Sequence, residues 1–228
     1  MKIGFFGKLP SYGDFLQRNI APKVIERLDN WLCHSIDASL RGLGDAWKDV
    51  YFNSPIWRFY IQGGALVDET ITGLMMPSVD ATGRCYPFVI VCQFEAQTNV
   101  FSLASKIERF HGDAEDIMIQ LLDHQRPDLD AIAKQLQTNY EMLEGIDLPT
   151  IDCNENTFEP EIYRSFNQSP CSFSQINEAF LANYFKQQSV PISIWHSAQS
   201  ALIENQYRYY EGMPPVDVFE VLMRATRD

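Results

Sequence analysis

Asp80 and Arg84 stand four residues apart in a polar stretch, Pro77 to Pro87, that also holds Ser78, Thr82 and Gly83. Two kinds of chemistry fit that spacing. The pair is either presented to a partner as charge, or the Asp side chain caps its own turn while Arg84 pairs back to it, since Asp readily bonds backbone two residues on. An ion pair of this kind stabilises little when exposed, and losing one partner is costly when it is buried. Asp14 and Arg18 repeat the spacing near the N-terminus. Asp14, Arg58, Asp80 and Arg84 would form one charged cluster if the fold brings their segments together; Arg18 and Ser78 complete the candidate set.

Other reactive residues lack a pattern. Gly4-Phe5-Phe6-Gly7-Lys8 has the glycines and lysine of a phosphate loop at the wrong spacing, and Leu9 stands where a magnesium-binding Ser or Thr belongs. No Gly-x-Ser-x-Gly elbow occurs. His196-Ser197 and Cys33-His34 are adjacent pairs, and neighbours on a strand or helix point apart, so neither is a dyad by itself. The four His and five Cys show no metal-ligand spacing. These observations assign no catalytic residue, no cofactor and no metal. An enzyme would need a site assembled in space, with Asp14, Asp80, Arg84 and His196 the first residues to inspect.

The elements that would position these groups are legible in outline. Leu74-Met75-Met76 and Phe88-Val89-Ile90-Val91-Cys92 flank the Pro77–Pro87 loop, and the second run is continuous enough for a strand buried on both faces. The loop of about nine residues exceeds the usual hairpin length, and long polar loops on buried strands commonly carry function. Further strands are expected at 3–6, 56–61, 190–195 and 206–210. Val24, Ile25, Leu28, Trp31, Leu32 and Ile36 share one face of a helix over 21–40 that opens on Pro22. Helices are also expected over 98–124, divided at Gly112, over 128–140 with Asp128 as N-cap, over 173–186, and from Val216 to Met223. Trp31, Trp57 and Trp195 are expected in the core. Strands alternating with helices give an α/β layered domain around a mixed β-sheet with helices on both faces.

Composition narrows the partners. The net charge is −12, with 18 basic residues scattered rather than clustered, which argues against nucleic acid and anionic membrane. No apolar run reaches the roughly 20 residues of a membrane span, and the N-terminus lacks a signal-peptide pattern. Five cysteines without a Cys-x-x-Cys pair suit a reducing compartment. Residues 141–163 carry seven carboxylates and no Lys or Arg, and read as an acidic surface excursion.

Three stretches, Gly4 to Arg18 (GFFGKLPSYGDFLQR), Ser54 to Phe59 (SPIWRF) and Met76 to Phe88 (MPSVDATGRCYPF), together resemble the TagF/ImpM family of bacterial type VI secretion accessory proteins. Ile192 to Trp195 and Gly212 to Pro214 resemble its later signatures more loosely; His196, Ser197, Ala198 and Gln199 depart from the second-Trp pattern there. The resemblance implies one TagF/ImpM-like domain over residues 1–228, in the stand-alone form rather than fused to a phosphatase, with a three-layer α/β/α sandwich fold. It also implies a cytoplasmic, non-enzymatic, post-translational negative regulator of type VI secretion. Such a regulator binds the forkhead-associated scaffold protein and opposes assembly without threonine phosphorylation. A structural subunit of the apparatus is the alternative from the same resemblance. For a regulator of this kind the candidate surface is the polar Pro77–Pro87 loop, together with Tyr12 to Arg18.

Overall fold

A computed structural model describes residues 2–123, 125–141, 178, 181, 184, 190–197 and 206–224. Its elements are β1 (Lys2–Gly7), β2 (Leu16–Arg18), α1 (Pro22–Leu43), α2 (Trp47–Phe52), β3 (Trp57–Ile61), β4 (Thr70–Met76), β5 (Phe88–Phe94), α3 (Val100–Lys106), α4 (Glu108–Asp123), α5 (Leu129–Glu141), β6 (Ile192–Ser197), β7 (Gln206–Glu211) and α6 (Phe219–Arg224). The helix expected over 173–186 and the acidic stretch after Glu141 lie largely outside the described residues.

Seven strands form one sheet in the order β2-β1-β5-β4-β3-β6-β7. Every described pairing is antiparallel, which corrects the expectation of a mixed sheet. Burial on both faces of β5 suggested a parallel component, but that burial has another cause. All seven residues of β5 are buried, and they alternate between two cores. Phe88, Ile90 and Cys92 pack with residues of α3, α4 and α5, whereas Val89 and Val91 pack with residues of α1, α2 and α6. Helical side chains cover both faces of an antiparallel sheet, so its strands lose the polar face that usually marks them.

Each helix follows its apolar spacing. In α1, Val24, Leu28, Trp31, Leu32, Ser35, Ser39 and Leu43 are buried, which carries the helix three residues beyond its expected end at Leu40. Gly44, at φ +53°, ends it. The break between α3 and α4 falls at Ile107 rather than Gly112. Ile107 and Phe110 are both buried there, so packing rather than glycine decides where the axis turns. Asp128 caps α5, accepting from the backbone N–H of Asp130 at 3.0 Å and Ala131 at 3.2 Å. Trp31, Trp57 and Trp195 are buried as expected, and each indole N–H donates to an oxygen: Pro214 O, Leu222 O and Ser193 Oγ.

The register at one end of the sheet positions the candidate loop. Gly7, the last residue of β1, pairs with Phe88, the first of β5. Gly7 has φ +124°, and a Cβ there would run into the Pro87 carbonyl. Only glycine lets β1 end this close to the 77–87 loop, and the next residue, Lys8, therefore emerges beside it. Gly7→Ala is expected to cost about 1–3 kcal/mol from backbone strain alone. In a chain of this size that lowers Tm by roughly 2–10 °C in a thermal melt, and an unchanged Tm would show that β1 does not need the close approach.

Candidate functional site

The 77–87 loop is built inward from one anchor and outward from one turn. Tyr51 on α2 is the anchor: its hydroxyl donates to Ser78 O and receives Ser78 N–H, both at 2.9 Å. Beyond it a single β-bridge, Val79 to Cys85, narrows the loop, and Tyr86 N–H donates to Ser78 O at 3.0 Å. The tip reverses at Gly83, φ +82°, whose N–H donates to Asp80 O at 2.9 Å. This reversal folds Arg84 back over Asp80.

Asp80 is the hub. Its side chain is fully buried, and it accepts from every direction. Oδ1 receives Thr82 N–H at 2.9 Å, the Thr82 hydroxyl at 2.7 Å and Arg84 N–H at 3.0 Å. Oδ2 receives Arg84 Nε at 2.6 Å and lies 3.0 Å from Lys8 Nζ. Burial works against the charge, but the Thr82 and Arg84 hydrogen bonds and the Lys8 ammonium outweigh it and hold the carboxyl well below the usual Asp range.

The N-terminal motif is stitched onto this hub. Ala81 N–H donates to Tyr12 O at 2.8 Å, and Arg84 Nη2 donates to Gly13 O at 2.7 Å. Tyr12 closes the other side by donating its hydroxyl to Pro127 O at 2.5 Å. Phe15, half exposed, lies edge-on to Tyr86 at 4.5 Å between centroids and 5.5 Å from Lys8 Nζ. Tyr86 in turn donates its hydroxyl to Asp29 Oδ1 at 2.6 Å. Two loops separated by some seventy residues thus form one surface, with Phe15, Thr82 and Arg84 outside and Asp80 sealed beneath.

The remaining candidates go elsewhere. Arg58 does not join Asp80: it makes two bonds to Glu115 of α4, at 2.7 and 2.8 Å, mostly out of solvent. Arg18 does not pair with Asp14 either; its Nε donates to Asp130 of α5 at 2.8 Å. Residues 16–18 are a strand, and extended chain carries side chains four apart well beyond contact. Asp14 is exposed and has no ion pair among the described residues. The four-residue cluster therefore reduces to Asp80 and Arg84, joined by Lys8 and Thr82, which the spacing argument overlooked. Ser78 is buried and acts through its backbone. His196 stacks on Tyr207 at 4.1 Å, while Cys33 and His34 turn back to Asp29 and Asn30 of their own helix.

Sequence reasoning also missed a buried polar centre on the α4 face. His111 has no exposure. Its Nδ1 is 3.1 Å from the Tyr60 hydroxyl and its Nε2 is 3.3 Å from Thr72 Oγ1. The Thr72 hydroxyl donates to Phe59 O at 2.7 Å, so it accepts from an Nε2–H tautomer, and Tyr60 donates to Nδ1. Burial, with Arg58 and His196 nearby, pushes the imidazole pKa down to about 3. A single His among apolar spacing gave no signal of this.

Comparison with known proteins adds the following. The chain matches the TagF N-terminal domain, type VI secretion system-associated, over residues 4–138. Its structure is similar to the crystal structure of PA0076 from Pseudomonas aeruginosa PAO1, with a TM-score of 0.76 and 27% identity, covering 99% of this chain and 96% of that one. No curated protein matches it. Among the described residues no helix is long and apolar enough to cross a membrane.

Two acid dependences separate the hub from the core. His111 has a folded pKa below its unfolded value of about 6.5, so stability is full above that value and falls as pH drops toward about 3. Asp80, also depressed, contributes fully above the ordinary Asp value of about 4 and is lost only below it. Chemical denaturation from pH 7 to 4 should show stability falling, and His111→Gln should flatten that slope. Asp80→Asn should leave the slope intact while lowering Tm at pH 7 by on the order of 10 °C. Equal slopes in wild type and His111→Gln, or a normal Tm for Asp80→Asn, would refute the respective assignment.

Proposed function

Because the chain belongs to the TagF family of type VI secretion system-associated proteins, we propose that it is a non-enzymatic, cytoplasmic negative regulator of that system. It acts after translation by binding the forkhead-associated scaffold protein and withholding it from assembly. The observation that carries the reading is how the motif residues are used. The first and third motif stretches build one surface whose only buried carboxylate, among the described residues of that surface, has both oxygens saturated by its own chain. A carboxylate so occupied cannot take a proton from a substrate. What it does instead is hold Thr82 and Arg84 in fixed positions facing solvent, beside a half-exposed Phe15 packed on Tyr86, which is the arrangement a binding surface needs. The second motif supports the same end of the sheet: Ser54 and Pro55 line a small cavity with Pro77 and Pro87. The two cores on opposite faces of the sheet support reading the architecture as the three-layer α/β/α sandwich of the family.

Two measurements test the proposal. The purified chain should retain the purified scaffold protein in a pull-down, and raised levels of the chain in a type VI-positive cell should lower effector release. The variant Phe15→Ala, a half-exposed ring outside the hydrogen bonds to Asp80, should keep a Tm within a few degrees of wild type and lose both effects. No capture of the scaffold by the wild-type chain, or unchanged secretion, would contradict the reading.

A further inference from the structure

Phe15 is the apolar group of the proposed surface, and its own segment does little to fix it. It stands just before β2, half exposed, in a stretch between β1 and β2 that forms neither helix nor strand. Its ring has no polar atom, so packing against neighbours must hold it. Tyr86 lies edge-on to it, at 4.5 Å between centroids and 69° between planes, and Lys8 Nζ lies 5.5 Å from the ring centre. Where Phe15 stands therefore depends on where the Tyr86 ring stands.

Tyr86 is only 5% exposed. Its backbone end is fixed, because its N–H donates to Ser78 O at 3.0 Å. The ring is also edge-on to Phe6, at 6.5 Å. Edge-to-face contacts are favourable over about 4.5–7 Å, so they do not fix a ring by themselves. The far end is tied by the hydroxyl, which donates to Asp29 Oδ1 at 2.6 Å. A hydrogen bond to a carboxylate is short and stronger than a neutral one. A buried hydroxyl left without its acceptor is costly, which drives the ring to turn toward another. Asp29 lies within α1, 57 residues from Tyr86 in sequence. Its Oδ1 also receives the Cys33 thiol, at 3.6 Å, from one turn along the helix.

We infer that Asp29 is a positioning residue for the scaffold-binding surface. Through the Tyr86 hydroxyl it sets the ring on which Phe15 packs, so α1 determines where the exposed aromatic stands. This rests on the binding function proposed above and adds to it a residue that acts through two others. The alternative is a tie between α1 and the loop that serves stability alone.

Two readouts separate these. A para-fluorophenylalanine at position 15 reports the ring by NMR without any partner, and titration with the purified scaffold protein reports binding. Ala is the best helix former, so Asp29→Ala does not weaken α1 locally. It should move the fluorine resonance toward its value in the denatured chain and weaken scaffold binding roughly three- to tenfold. Asp29→Asn, whose amide oxygen still accepts from the Tyr86 hydroxyl, should leave the resonance in place and binding within about twofold of wild type. Phe15→Leu keeps apolar bulk without the ring. Adding Asp29→Ala to it should weaken binding by less than about twofold more, because the group through which Asp29 acts is gone. Tyr86→Phe removes the hydroxyl itself and serves if Asp29→Ala does not fold: it too should move the resonance and weaken binding a few-fold.

An unmoved resonance in Asp29→Ala or Tyr86→Phe, with wild-type affinity, would overturn the inference. So would Asp29→Asn binding as weakly as Asp29→Ala, or an equal loss from Asp29→Ala with and without Phe15, which would place its effect elsewhere. A wild-type chain that does not bind the scaffold would overturn the regulator reading, and the fluorine resonance would then decide by itself whether Asp29 sets Phe15.

Discussion

A carboxylate cut off from water must find replacements for every hydrogen bond it gives up, and Asp80 is such a group. Its replacements come from three places: Thr82 and Arg84 across a turn of a few residues, and Lys8 from the end of another strand. Because one of these is remote in sequence, satisfying Asp80 fixes the relation between the first strand and the loop joining β4 to β5. The backbone bond from Ala81 to Tyr12 and the bond from Arg84 to Gly13 then follow with little further loss of freedom. The outer surface inherits its rigidity from this buried charge.

The other buried ionic and polar groups obey the same constraint by different routes. Arg58 enters the α4 face of the sheet and is met by both oxygens of Glu115. His111 enters the same core as a neutral ring between one donor and one acceptor. Neither communicates with Asp80 through a described contact. The buried charges therefore form a structural set, each with its own partners, and Phe15, Thr82 and Arg84 form an exposed set beside Asp80 and Lys8. The proposed function belongs to the second set, and the first explains why that set stays in place.

Much of this was legible beforehand because local chemistry decided it. Pro22 and the apolar stripe of α1, the Asp128 cap and the Asp80–Arg84 pair all depend on residues close in sequence, and the three core Trp residues stand in locally apolar stretches. The misreadings arose where distant segments decide. A mixed sheet fits both the alternation of strands with helices and the continuous apolar run of β5, but burial reports whether faces are covered and says nothing of strand direction. Asp14 and Arg18 look like a pair only if the chain between them is helical; β2 extends it. Lys8 reads locally only as part of a mis-spaced phosphate loop, since nothing close in sequence shows that Gly7 lies against Pro87. His111 gave no signal because its partners, Tyr60 and Thr72, sit on two strands far from α4 in sequence.

The most direct test of the central claim is a double-mutant cycle of thermal stability between Lys8 and Asp80. With Lys8→Met, Asp80→Asn and both together, the account predicts that each single change lowers Tm and that the double variant loses clearly less than the two losses combined, because the lysine and the carboxylate are coupled. Strictly additive losses would show that Lys8 does not satisfy Asp80, and would contradict the view that this buried charge binds the two loops into one surface.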